Sequence, residues 1–121
     1  MSRYILAVDD DQESIRLSAV TLRPLGIPVV AAADGDEALA QVAHERPALI
    51  LLDLMMPRLS GYRVLSSLSD DPRTADIPII IITAYARDHD EMALPGVVRV
   101  LSKGSFGVGE LRRIVRMALV A

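Results

Sequence analysis

The sequence predicts an α/β domain: a parallel sheet with helices packed on both of its faces. Three observations lead there. Strand-like and helix-like segments alternate five times along the 121 residues. The run Ala48-Leu49-Ile50-Leu51-Leu52 is apolar at every position, as a strand covered on both faces must be. The intervening helical segments are apolar on one face only, so each has a single side to bury. Right-handed crossovers between parallel strands then place helices on both sides.

Taken in order, Arg3–Val8 is the first strand. Asp11–Leu25 is the first helix, with Ile15, Ala19 and Leu22 on one face and Gly26 as its stop. Ile27–Ala32 is the second strand, Asp34-Gly35 a turn, and Asp36–Glu45 the second helix with Ala38, Leu39, Val42 and Ala43 inward. Ala48–Leu52 is the third strand, ended by Pro57, and Gly61–Ser69 is a helix carrying Val64, Leu65 and Leu68. A polar loop, Asp70–Asp76, precedes the fourth strand, Pro78–Ile82. Arg87–Met92 forms a short or irregular fourth helix, Val97–Leu101 the fifth strand, and Gly107–Leu119 the last helix, with a buried stripe of Leu111, Ile114, Val115, Ala118 and Leu119. No repeat or linker divides the chain, so residues 1–121 read as one domain.

Composition narrows the function. No apolar run approaches the ~18 residues of a membrane span, the N-terminus lacks a signal-peptide pattern, and there is no cysteine for disulfides or thiolate metal sites. A cytoplasmic protein is expected. The core must come from Leu, Ile, Val and Ala, because only 3% of the chain is aromatic. Net charge is −3, but residues 97–121 hold five cations against Glu110 alone, a local +4 that leaves −7 on the rest. That cluster is mild and lacks interleaved aromatics, so it reads as a solvated helix face rather than a nucleic-acid surface.

The chemistry gathers at strand ends. In open α/β sheets, sites lie beyond the carboxyl ends of the strands. Here the first strand ends in Asp9-Asp10-Asp11, the third in Asp53, the fourth in Thr83-Ala84, and the fifth runs to Ser102-Lys103. Two carboxylates about 4 Å apart repel by roughly 4 kcal/mol at an effective dielectric near 20. Such a cluster calls for a divalent cation, and an all-oxygen site suits Mg²⁺. With its charge offset, Asp53 could attack phosphorus as a nucleophile, while Thr83, Lys103 and the metal hold the phosphoryl oxygens. Asp11 is a helix N-cap with Ser14 nearby and takes no site role. Asp34-Gly35-Asp36-Glu37 is a turn and cap rather than a calcium loop. The Met55-Met56 pair reads as packing, His44 and His89 as exposed, and Gly104–Gly109 matches no nucleotide-binding order.

Taken together, Val8-Asp9-Asp10, the stretch Asp53-Leu54-Met55-Met56-Pro57 with Ser60-Gly61 behind it, Ile82-Thr83-Ala84, and Lys103 resemble the receiver domain of two-component response regulators over the whole chain. The resemblance implies a flavodoxin-like (CheY-like) fold in strand order 2-1-3-4-5. It implies a phosphoryl group passed to Asp53 by a histidine kinase or histidine phosphotransfer protein. It further implies Mg²⁺ held by Asp10, Asp53 and the Met55 backbone carbonyl, with Asp9 acting through water, and Thr83 and Lys103 sensing phosphate. Such a domain is no enzyme beyond assisting its own phosphorylation and dephosphorylation, and it binds neither nucleic acid nor membrane itself.

Four features depart from the family pattern. Gly104 follows the lysine where proline is usual, so a trans Lys103–Gly104 peptide or a remodelled loop is expected. Val100 occupies a switch position that is usually aromatic or histidine, and a β-branched residue cannot report by swinging. Thr83 and Lys103 are 20 positions apart, about two fewer than usual, with Leu94-Pro95-Gly96 in the shortened connection. Met55 and Tyr85 stand where the family positions hydrolytic water, and neither is suited to that, so slow self-dephosphorylation is expected. These departures keep a second reading open: a pseudo-receiver that acts through its surface without regulated phosphorylation. A small α/β enzyme or flavoprotein fits poorly, because three aspartates occupy the place of a phosphate loop after the first strand.

Overall fold

The computed structural model describes residues 3–57, 60–84 and 96–120. Five strands, β1 (Ile5–Val8), β2 (Val29–Ala32), β3 (Leu49–Leu52), β4 (Ile79–Thr83) and β5 (Val97–Ser102), form one sheet in the order β2-β1-β3-β4-β5. Every pairing is parallel. The described helices are α1 (Gln12–Leu22), α2 (Gly35–His44), α3 (Ser60–Asp70) and α4 (Val108–Val120). The expected short helix over Arg87–Met92 falls outside the described residues, as do Tyr85 and His89.

The apolar strands feed two cores, one on each face of the sheet. Leu6 and Val8 of β1, Ile50 and Leu52 of β3, and Ile79 and Ile81 of β4 pack with Ala38 and Val42 of α2 and Val64, Leu65 and Leu68 of α3. Their alternating neighbours Ile5, Ala7, Leu49, Leu51 and Ile80 pack with Leu22 of α1 and Leu111, Ile114 and Val115 of α4. This two-fold alternation is why the strands need to be apolar throughout. Fully burying one such side chain is worth about 1.5–3 kcal/mol, so the central strands dominate the stability. Tyr4 also enters the first core, its hydroxyl donating to the Glu45 carbonyl at the end of the sheet away from the strand carboxyl ends.

The boundaries shift where backbone chemistry demands it. The first helix ends three residues earlier than the apolar spacing suggests, and Arg23–Leu25 continue as a 3₁₀ turn. Pro24 has no N–H to give an α-helical partner, so the α pattern cannot pass through it. Gly26 then takes φ 73 and closes the turn, the left-handed conformation glycine adopts without penalty. Pro28 likewise delays β2 to Val29, although its carbonyl still accepts from the Ile5 N–H at 2.9 Å. Asp34 caps α2 by accepting from the Glu37 N–H at 2.8 Å, which brings Gly35 inside the helix. Ala43 is exposed rather than inward. The methionine pair divides: Met56 is core, whereas Met55 is exposed.

Candidate functional site

Sheet register brings the chemically active residues to one rim. β1 and β3 pair with Val8 opposite Leu52, so Asp9 and Asp53, one step further on, are level on adjacent strands. Neighbouring strands lie about 4.8 Å apart. Backbone bonds extend the ladder past the strand ends: the Asp9 N–H donates to Ala32, that of Asp53 to Val8, and that of Lys103 to Thr83, at 3.0, 3.0 and 2.9 Å. Each group is therefore fixed by the sheet rather than by a free loop.

Asp53 is 5% exposed and both of its oxygens are engaged. Oδ1 accepts from the Met55 N–H at 3.0 Å, and Oδ2 lies 3.2 Å from the Lys103 ammonium. The same ammonium sits 2.9 Å from Asp9 Oδ2, and Asp9 Oδ1 accepts from the Asp11 N–H at 2.9 Å. Asp10 is exposed at the mouth. One carboxylate oxygen from each of Asp9, Asp10 and Asp53 lies within 4.8 Å of the others. Oxygens across an octahedral Mg²⁺ are about 4.2 Å apart. A small inward movement, or a water in place of one carboxylate, makes this hard, all-oxygen donor set fit that ion.

Electrostatics at the rim are tightly balanced. Burial raises the Asp9 pKa above the usual aspartate value, outweighing the Asp11 N–H and Lys103 contacts that favour its charge. Burial would lower the Lys103 pKa, but the Asp9 hydrogen bond and the charges of Asp53 and Asp9 more than offset this, and the net shift is upward. Lys103 is thus a firmly charged counter-ion to the acidic pair. The sequence alone assigns Lys103 only to phosphate sensing. Lone cations rarely advertise a second partner in sequence.

Thr83 completes the rim differently. It is fully buried, and its hydroxyl has no hydrogen-bond partner. A buried unpaired hydroxyl costs on the order of 1–3 kcal/mol, the kind of stored cost found at functional sites. Asp11 caps α1 through the Glu13 N–H and accepts from the Ser14 hydroxyl, the N-cap contacts expected of it. No cis peptide occurs among the described residues, and Gly104 takes φ 76, so the Lys103–Gly104 bond is trans as anticipated. Val100 is half-buried against the first core.

Gly61 was visible in the sequence only as part of a motif. In the structure, a Cβ there would lie 2.4 Å from the Asp53 carbonyl oxygen and 2.5 Å from the Leu54 Cα. The first turn of α3 therefore backs directly onto the segment that carries Asp53.

A family model described as the response regulator receiver domain matches residues 5–116. The chain belongs to this family. The receiver is 45% identical over 84 residues to the response regulator PleD of Caulobacter vibrioides, covering 69% of this chain and 18% of that protein. It is 39% identical over 88 residues to the DNA-binding dual master transcriptional regulator RpaA of Synechocystis, covering 73% of this chain and 36% of that protein. It thus spans well under half the length of either relative.

Solved structures agree with the CheY-like, flavodoxin-like fold. The response regulator TrrA from Thermotoga maritima, in complex with Mg²⁺-BeF, superposes with a TM-score of 0.83 at 30% identity, covering 98% of this chain and all of that one. The receiver domain of the sensor histidine kinase PA1611 from Pseudomonas aeruginosa, with a magnesium ion in its active-site cleft, gives 0.85 at 29% identity with both chains fully covered. Among the described residues of this receiver, no helix is long and apolar enough to cross a membrane.

Proposed function

We propose that this receiver accepts a phosphoryl group on Asp53 within a two-component phosphorelay. The observation that carries the reading is the junction at Asp53: a buried carboxylate within one cation's reach of Asp9 and Asp10, with an ammonium 3.2 Å from one oxygen. Mg²⁺, when bound, offsets the carboxylate charge and polarises the incoming phosphoryl group. Asp10, Asp53 and the Met55 backbone carbonyl would hold it, with Asp9 acting through water.

The donor is a phosphohistidine on a histidine kinase or phosphotransfer protein. An Asp53 oxygen forms the new O–P bond as the N–P bond breaks, and the histidine keeps the electron pair and takes up a proton from solvent. Lys103 exchanges a carboxylate contact for a phosphoryl oxygen. The spare Thr83 hydroxyl gains the hydrogen bond it lacks, which favours the conformation that brings it to the phosphate. Val100 has no aromatic ring to swing, so the response passes through the Thr83 and Lys103 segments themselves. No catalysis on an outside substrate is involved, and a cytoplasmic location follows from the donor.

Transfer from a radiolabelled histidine phosphotransfer protein in Mg²⁺ tests this. Label should move to the receiver and fail to move to Asp53→Asn or in the presence of a chelator. A folded receiver that takes no label from any donor tried, including a small acyl phosphate, would favour the pseudo-receiver alternative.

A further inference from the structure

The chain has five methionines and no cysteine, so methionine carries all of its oxidisable sulfur. Met1 and Met92 lie outside the described residues. Met56 is 3% exposed and shielded by the first core, whereas Met55 is 42% and Met117 64% exposed. Exposure alone does not favour Met55 over Met117, which lies on α4. Position does. The Met55 N–H donates to Asp53 Oδ1 at 3.0 Å, so the residue is held against the candidate phosphoacceptor. Its side chain is unbranched with three rotatable bonds, long enough from that anchor to reach over the carboxylate.

A thioether is a weak hydrogen-bond acceptor, and a water beside it gains little orientation. Oxidation to the sulfoxide replaces it with a polar S–O group, a much stronger acceptor. Hydrolysis of a phosphoryl group is helped by an acceptor that orients the attacking water, as a glutamine amide does in GTP hydrolysis. We propose that Met55 is a redox-modification site: a peroxide converts it to the sulfoxide, and the new oxygen hastens loss of phosphate from Asp53. The sulfur lone pair attacks one oxygen of hydrogen peroxide, the O–O bond breaks, and the other oxygen leaves as water with both protons. Sulfur gives up two electrons and the peroxide takes them. A dithiol reverses the change, becoming a disulfide while the oxygen departs as water. Oxidant thereby clears the switch without a phosphatase, an effect that rests on Asp53 being the phosphoacceptor.

Limited treatment with hydrogen peroxide, removal of the excess and peptide mapping by mass spectrometry give a first readout that needs no phosphorylation. Sulfoxide should appear on Met55 and Met117 and spare Met56. Phosphorylated by a small acyl phosphate with Mg²⁺, the oxidised protein should then lose its phosphoryl group about fivefold faster, the worth of one hydrogen bond to the attacking water. Peroxide should leave the decay rate of Met55→Leu unaltered and still accelerate that of Met117→Leu. Met55→Gln, which supplies an amide oxygen at the same reach, should decay fast without peroxide. Resistance of Met55 to oxidation where Met117 is converted, unchanged or slower decay after oxidation, uptake of phosphate lost only in the oxidised form, or acceleration that survives in Met55→Leu would each overturn the proposal. A receiver that takes up no phosphoryl group even before oxidation would instead overturn the phosphoacceptor reading, and the redox step would fall with it.

Discussion

The Lys103 ammonium lies 2.9 Å from an Asp9 carboxylate oxygen, and this pairing shapes the behaviour of the whole rim. Without metal, Lys103 is the counter-charge for Asp9 and Asp53; a divalent cation must share that role with it. Replacing the ammonium should therefore tighten metal binding while weakening the response to phosphate. The repulsion relieved is reduced because Lys103 is partly solvated and can turn outward, leaving about 1 kcal/mol. Lys103→Met should bind Mg²⁺ about fivefold more tightly by calorimetric titration, and unchanged or weaker affinity would remove Lys103 from this balance.

Thr83→Val should separate stability from function. The hydroxyl is buried without a partner, so deleting it removes a cost and leaves the shape. Stability should hold or rise by about 1 kcal/mol, seen as a Tm increase of roughly 4 °C for a domain of this size. Phosphorylated Thr83→Val should lose the spectral change that phosphorylation produces in the wild type. A marked Tm decrease would mean the hydroxyl is bonded in solution.

Gly61→Ala tests the close approach of α3 to the Asp53 segment. Alanine normally favours a helix over glycine by about 1 kcal/mol. Here the added carbon would meet backbone atoms at 2.4 and 2.5 Å, and backbone cannot turn aside. The clash wins, at a cost of about 1–3 kcal/mol. Thermal denaturation should show the loss, with Mg²⁺ affinity falling alongside it as Asp53 moves. A stabilised Gly61→Ala variant would contradict the packing.

Acid should weaken metal binding earlier than an ordinary aspartate would. Burial raises the Asp9 pKa above its usual 3.8. In the metal-free protein the folded form therefore binds this proton more tightly than the unfolded chain, so Asp9 contributes stability as pH falls through the raised value. Metal binding requires the opposite protonation state. The Tm increase produced by Mg²⁺ should thus begin to shrink while the pH is still above the ordinary aspartate value, as it falls through the raised Asp9 value, and Asp9→Asn should flatten that dependence. An increase that stays constant until ordinary aspartates protonate would exclude Asp9 from the metal's surroundings.

The aspartyl phosphate should be long-lived. Met55 is exposed beside Asp53 and offers a thioether, a weak acceptor poorly suited to orienting a water. Decay should take minutes or longer, and Met55→Asn should speed it. Loss within seconds in the unaltered protein would refute this.

Much of this was legible in the sequence because the decisive patterns are local. The apolar runs of β1, β3 and β4 announce strands covered on both faces, and the aspartates, threonine and lysine follow directly where those strands stop. Pro24 and Pro28 moved boundaries because a missing N–H is a backbone effect that apolar spacing does not register. The Lys103–Asp9 pair, the unpaired hydroxyl of Thr83, and the close approach of Gly61 to the Asp53 carbonyl were not legible. Each depends on distances between segments far apart in the chain, which only the packed fold sets.

The most direct measurement is peptide mapping by mass spectrometry after incubation with a small acyl phosphate and Mg²⁺. A single phosphoryl group should appear on the peptide containing Asp53, disappear when the metal is chelated, and be absent from Asp53→Asn. A phosphoryl group on any other residue, or its appearance on Asp53 with no divalent cation present, would contradict the account of three carboxylates gathered around one ion.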